Sequence, residues 1–180
     1  MRVMIDACVL YPTVMREVML GCAKAGLFEA RWSECILEEW ARAAGKLGPA
    51  EEVWARGEIA ALGAAFPQAI VRYDAAQERA FWLPDPADIH VLTAAAVGSC
   101  DGILTMNAKD FPKDILGDAA LLRWDPDGFA LLLLAEAPDQ VRDVAARVLD
   151  TANRLSPEPW TVRALMKKAR MPRFGKALEA

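Results

Sequence analysis

Four acidic residues stand where apolar runs give way to a helix or a loop. They are Asp6 after Arg2-Val3-Met4-Ile5, Glu39 in Ser33-Glu34-Cys35-Ile36-Leu37-Glu38-Glu39-Trp40, Asp88 in Leu83-Pro84-Asp85-Pro86-Ala87-Asp88, and Asp110 in Thr105-Met106-Asn107-Ala108-Lys109-Asp110-Phe111-Pro112. Hard divalent cations such as Mg²⁺ and Mn²⁺ prefer oxygen ligands, and three or four converging carboxylates can hold one or two of them with positions left for water. Such a site suits phosphodiester cleavage, because the metal makes a water nucleophilic and stabilises developing charge. The donor set available here is almost purely carboxylate. His90 is the only histidine, and Cys8, Cys22, Cys35 and Cys100 form no C-x-x-C pair, so zinc-finger spacing is absent and the thiols read as buried and reduced.

The elements that must position these acids follow from periodicity. Val3 to Ile5 reads as a buried strand, followed by a helix over 13–25 with Val14, Val18 and Cys22 on one face and Gly26 as its stop. Ser33 reads as the N-cap of a helix to about Ala44, and Pro49 opens another to Ala65. Ala69–Tyr73 is the second strand candidate, Gly102–Thr105 the third and Ala120–Trp124 the fourth. Between them Asp85 reads as an N-cap, Pro86 as the first helical residue and Asp88 as a first-turn acid favoured by the helix dipole. Strands alternating with helices point to parallel βαβ connections, and ligand sites in such open sheets form beyond the carboxyl ends of the strands. From about residue 125 onward the pattern is helical only.

Bulk properties fit one domain with an appendage: 180 residues, 54% hydrophobic and 26% charged. The net charge of -4 does not advertise nucleic-acid binding, but bound divalent cations would reverse the field at a carboxylate cluster. The apolar stretch at Val3 to Ile5 is far shorter than the roughly 7–15 residues of a secretory h-region, and Phe129 to Ala135 is too short for a span of about 20. The expectation is a cytoplasmic protein without a membrane segment.

Met4-Ile5-Asp6-Ala7-Cys8-Val9-Leu10, Ile36-Leu37-Glu38-Glu39-Trp40, Asp85-Pro86-Ala87-Asp88-Ile89-His90-Val91-Leu92 and Leu104-Thr105-Met106-Asn107-Ala108-Lys109-Asp110-Phe111-Pro112 resemble, in order and spacing, the four signature blocks of PIN-domain ribonucleases, a family that includes VapC-type toxins. The resemblance covers about residues 1–125. It implies a three-layer α/β/α domain over 1–125 with a central parallel sheet of four or five strands. A helical C-terminal extension over 126–180 would pack on or beside it. It also implies a Mg²⁺- or Mn²⁺-dependent endoribonuclease, with RNA as substrate, a cognate antitoxin as a possible partner, and a homodimer. Carried over by position, Asp6, Glu39, Asp88 and Asp110 form the catalytic quartet, and Asp6, Asp88 and Asp110 hold metal. Asn107, Thr105, Asp85 and Arg16 support them, and the RNA-contacting residues stay unassigned.

Two assignments are left open. Glu38 and Glu39 point about 100° apart on a helix, so only one can face the site; Glu39, directly before Trp40, is the choice. The fourth acid could come from position 107, where many relatives carry Asp, but Asn107 is neutral and Asp110 must then serve. Each residue alone also has an ordinary explanation: Asp6 ending a strand, Asp85 and Asp88 as caps, Glu39 as a solvated charge, Asn107 and Asp110 as turn formers. His90, two residues after Asp88, is expected to point away from that carboxylate and to be non-catalytic. Arg16 reads either as a cation for a phosphate at the rim or as a solvated helix charge. Arg163, Lys167 and Arg170, joined by Lys168, Arg173 and Lys176, form a basic stripe suited to RNA phosphates or an acidic partner. Two rival readings fit parts of the pattern. One is a non-catalytic RNA- or protein-binding module on the same fold. The other is a haloacid-dehalogenase-like phosphatase, which needs a second Asp at the position held by Cys8.

Overall fold

The structure is a computed structural model, and it describes residues 1–179. In chain order the first elements are β1 (Arg2–Ile5), α1 (Ala7–Leu10), α2 (Thr13–Lys24), β2 (Glu29–Ser33), α3 (Glu34–Gly45), α4 (Pro49–Ala65) and β3 (Ile70–Val71). Two 3-10 turns, Ala75–Ala80 and Pro86–Asp88, lead into α5 (Ile89–Val97), β4 (Gly102–Leu104), α6 (Lys113–Asp118) and β5 (Leu122–Trp124). The remainder is helical: α7 (Pro126–Glu136), α8 (Pro138–Leu155), α9 (Val162–Lys168) and α10 (Pro172–Ala177). The chain forms two compact units, one from residues 1–11 and 29–124, the other from 12–28 and 125 onward.

The first unit is built on a five-stranded parallel sheet in the order β3-β2-β1-β4-β5. Val3, Met4 and Ile5 are fully buried, as the central strand of a sheet covered on both faces requires, and this explains the continuous apolar run. Met4 lies opposite Arg31 on one side and Ile103 on the other. The chain steps outward from β1 to β2 to β3, then returns to place β4 on the opposite side of β1. The strand order therefore reverses between β1 and β4, and a cleft at a topological switch point opens beyond their carboxyl ends.

Three features differ from the sequence expectation. Glu29-Ala30-Arg31-Trp32-Ser33 is a strand, although two of its five residues are charged. Ala30 and Trp32 are buried, while Arg31 donates to Glu29 at 2.7 Å and stays half-buried, so the charges ride on the ladder as a pair. The strand expected over 69–73 is only Ile70–Val71, paired with Trp32 and Ser33. Pro86–Asp88 is a separate 3-10 turn rather than the first turn of α5; the Asp85 carboxylate accepts from Ala87 N at 2.9 Å, and Asp88 becomes the residue preceding α5. Ser33 does cap α3, accepting from Ile36 N at 3.3 Å.

In the second unit α2 packs against α7, α8 and α9, and α10 packs against α7 and α9. Asp127, 6% exposed, accepts from the backbone N–H groups of Arg173 and Phe174 and from Arg173 Nε, which ties α7 to the start of α10. The basic stripe is partly spent inside this unit. Arg173 pairs with Asp125 and Asp127, Arg163 lies 3.5 Å from Glu179, and the Lys168 ammonium sits 4.7 Å above the Trp160 ring. Arg16 also belongs here, and it is not a solvated helix charge: it is 1% exposed and 3.8 Å from Glu17. Of the cysteines expected to be buried, Cys22 and Cys100 are, Cys8 is half-buried and Cys35 is exposed.

Candidate metal site

Asp6 follows β1 directly, and its backbone N–H still continues the ladder by donating to Leu104 O at 3.1 Å. Its side chain is 6% exposed, so its negative oxygens need donors. Two converge on Oδ2: the Thr105 hydroxyl at 2.6 Å and the Cys8 thiol at 3.0 Å. Cys8 in turn accepts from Met106 N at 3.2 Å, and Thr105 Oγ1 accepts from Asn107 N at 2.9 Å. Burial first, then the charge of Asp6, push the Cys8 thiol up to about 12, so it remains a protonated donor. The ends of β1 and β4 are thereby bolted together around one carboxylate oxygen.

Asp88 reaches the same region from the turn before α5. Its side chain makes no capping bond to the helix, contrary to the cap reading; instead Asn107 Nδ2 donates to Asp88 Oδ2 at 3.1 Å. Carboxylate oxygens of Asp85, Asp88 and Asp110 all lie within 4.8 Å of one another. Asp6 and Glu39 stand outside that trio. The crowding shows in Asp88, whose carboxyl is pushed up to about 6, first by burial and then by the charges of Asp6, Asp85, Asp110 and Glu39. Like charges held this close favour either a proton or a cation.

Glu39 arrives on α3, which packs against α1. It accepts from His90 Nε2 at 3.0 Å through Oε1. Glu38 turns the other way, toward Arg42 on its own helix and Arg56 on α4. Burial is the largest influence on His90 and opposes its charge. The bond to Glu39 and the charges of Glu39, Asp6 and Asp88 outweigh it and raise the imidazole above its ordinary value. A cleft of about 300 Å³ is lined by Asp6, Cys8, Tyr11, Glu39, Asp88 and Asn107 among others.

The donor set fits a hard divalent cation. Around Mg²⁺ opposite oxygens lie about 4.2 Å apart and adjacent ones about 3 Å, so a trio within 4.8 Å would draw together by side-chain rotation on binding. The structure thus brings Asp6, Glu39, Asp88, Asn107 and Thr105 to one cleft and its rim, and joins Asp85, Asp88 and Asp110 as a group that could hold a metal ion. Sequence reasoning missed two polar members. Cys8 carried a signal, lying two residues beyond Asp6, but its contact with Thr105 spans 97 positions and depends on β1–β4 pairing. His90 was expected to point away from Asp88; the fold sets its ring against Glu39, on a helix 51 residues upstream, and leaves it within reach of the charge of Asp88.

A family model described as PIN domain matches residues 2–109, well over half of the chain. The chain belongs to the PIN domain family. PIN domains are generally nucleases and typically use divalent metals, and PIN nucleases act on RNA. The five-stranded parallel sheet with its helices is the α/β/α fold of this family, with further helices at the C-terminus. The match takes in Asp6, Glu39, Asp85, Asp88 and Asn107 and stops one residue before Asp110. No curated protein and no solved structure matched the chain significantly.

Proposed function

We propose that this protein is an endoribonuclease that cleaves RNA phosphodiester bonds with Mg²⁺ or Mn²⁺. We read it as the cytoplasmic toxin of a toxin–antitoxin pair, working as a homodimer until a cognate antitoxin covers the cleft. The observation that carries the nuclease reading is the convergence of Asp85, Asp88 and Asp110 beside Asp6 and Glu39 at the β1–β4 switch point. The toxin reading is supported by the resemblance of the four sequence blocks to VapC-type proteins. Among the described residues no helix is long and apolar enough to cross a membrane.

Each side chain has a task. Asp85, Asp88 and Asp110 would hold the cation, with Asp6 as a further ligand. When bound, the cation supplies an activated water and neutralises charge on the phosphate. Asn107 fixes the Asp88 carboxylate, while Thr105 and Cys8 fix that of Asp6. Glu39, on α3 and lining the same cleft, would serve as the base that takes a proton from water. A phosphatase with an aspartyl nucleophile is disfavoured, because Cys8 puts a protonated thiol where the second carboxylate belongs.

Purified protein incubated with total RNA decides the matter. Cleavage is expected with Mn²⁺ or Mg²⁺ and not in chelator. Asp88→Asn and Asp6→Asn should lose more than the roughly 10–100-fold that outer-sphere changes cost. Growth arrest on expression should vanish with the same variants. Equal RNA cleavage by wild type and Asp88→Asn, or cleavage unaffected by chelator, would refute the reading.

A further inference from the structure

We infer that His90 is a positioning residue that holds Glu39 over the cleft and couples it, through the first turn of α5, to Asp88. The inference rests on the nuclease reading for its kinetic consequence, but not for its geometry.

The His90 side chain is 11% exposed and that of Glu39 is 40% exposed, so a nearly buried ring supports a carboxylate that looks into solvent. Glutamate has three rotatable side-chain bonds and, without a partner, would spread over many rotamers. Imidazole has two, and here it is enclosed. Because Glu39 Oε1 can only accept, the proton of the 3.0 Å contact must sit on His90 Nε2. The other ring nitrogen, Nδ1, is buried with no hydrogen-bond partner among the described residues. A buried nitrogen left unsatisfied costs stability, and an apolar side chain would fill the same wall without that cost. Among the described residues the ring's only polar contact is the one to Glu39, and that contact is what the histidine contributes.

The position on α5 extends the consequence. Asp88 immediately precedes α5 and is tied by Asn107 to the loop after β4, while His90, in the first turn of α5, grips α3 through Glu39. The two carboxylates on opposite walls are therefore referenced to the same helical turn. If Glu39 takes a proton in the reaction, its distance from the metal-holding group is set by His90.

The test uses the full-length chain. His90→Ala should lower kcat on an RNA substrate by about 10–100-fold with KM changed less than about 3-fold, as loss of an orienting partner does. His90→Gln, whose amide can still donate, should recover part of that loss. In a Glu39→Gln background His90→Ala should add nothing, the signature of a shared pathway in a double-mutant cycle. An undiminished rate in His90→Ala, or an equal loss in both backgrounds, would overturn the inference. A readout independent of activity comes from the fact that His90 is the only histidine. The imidazole ¹⁵N–¹H correlation of the metal-free protein should show a proton on Nε2, and Glu39→Gln, a change at a partly exposed residue, should shift it. An unmoved Nε2 signal would overturn the contact even if His90 variants fail to fold. If wild type cleaves no RNA at all, the nuclease reading falls, and the spectra still decide the His90–Glu39 pairing.

Discussion

Asp88 is the residue at which the cost of the site is concentrated, and pH exposes it. Its carboxyl is pushed up to about 6 from an ordinary 3.8, first by burial and then by the charges of Asp6, Asp85, Asp110 and Glu39, with the Asn107 amide as its donor. Between those two values the folded state binds the proton more tightly than the unfolded chain. The contribution to stability is therefore full below about pH 4 and lost as pH rises through about 6. His90, also raised, acts in the same direction. Urea unfolding in chelator should show wild type losing stability from pH 5 to 7.5, and Asp88→Asn should flatten part of that slope. Water around this partly exposed group keeps the effect well below the full value of the shift. Added Mn²⁺ should replace the proton and restore stability at the higher pH, in wild type only. A slope identical in Asp88→Asn would show that the crowding is relieved elsewhere. Asp6, Glu39, Asp88 and Asp110 stand out in the sequence only jointly, as four blocks in order, since each alone has an ordinary explanation; the fold lines one cleft with Asp6, Glu39 and Asp88 and puts Asp110 beside Asp88. The contacts of Cys8 and His90, and the grouping of Asp85 with Asp88 and Asp110, were not. They depend on which strand neighbours β1 and on how the turn before α5 bends.

At the scale of elements, the site depends on β4 being close to β5, and Gly102 sets that distance. A Cβ on Gly102 would lie 2.5 Å from Leu122 O and 2.5 Å from the Trp124 ring, and the first of these is backbone that cannot rotate away. Gly102→Ala should therefore destabilise by roughly 1–3 kcal/mol, the usual cost of overpacking. It should also disturb the loop holding Thr105 and Asn107. Thermal melts measure the first effect. The second would appear as weaker Mn²⁺ binding, by more than a control of equal stability loss such as Leu116→Val, on α6. Unchanged stability would mean β5 yields freely. A glycine inside a strand is a readable sign of close backbone approach, and the apolar strands β1 and β4 were readable by their composition. Strand β2 was not, because an Arg–Glu pair on its surface hides the alternation of Ala30 and Trp32. The 3-10 turn at Pro86–Asp88 was not either, since Asp-Pro-x-Asp is equally good chemistry for a helix start.

For the whole molecule, the sequence suggests a break near residue 125, whereas the compact units interleave. Segment 12–28 groups with 125 onward, and it carries α2, the only complete helix in the crossover from β1 to β2 beyond the single turn of α1. Parallel neighbours cannot be joined without such a crossover, so the β1–β2 connection needs α2 even though α2 groups with α7, α8 and α9. A chain ending at Trp124 would keep α2 and lose all three. Met15, Val18, Met19, Leu20 and Cys22 on α2 are each at most 7% exposed in the intact protein. Fully uncovering even two such side chains costs about 3–6 kcal/mol, against a total stability of about 5–15 kcal/mol for a typical domain. The 1–124 fragment is therefore expected to aggregate or to bind a hydrophobic dye, with fast amide exchange along 13–24, although it contains every residue of the candidate site. Restoring 125–180 as a separate co-expressed chain should rescue solubility, because the missing partners are whole helices rather than a linker. A soluble, monomeric 1–124 fragment that melts as sharply and as high as the full chain would show that α2 needs none of them.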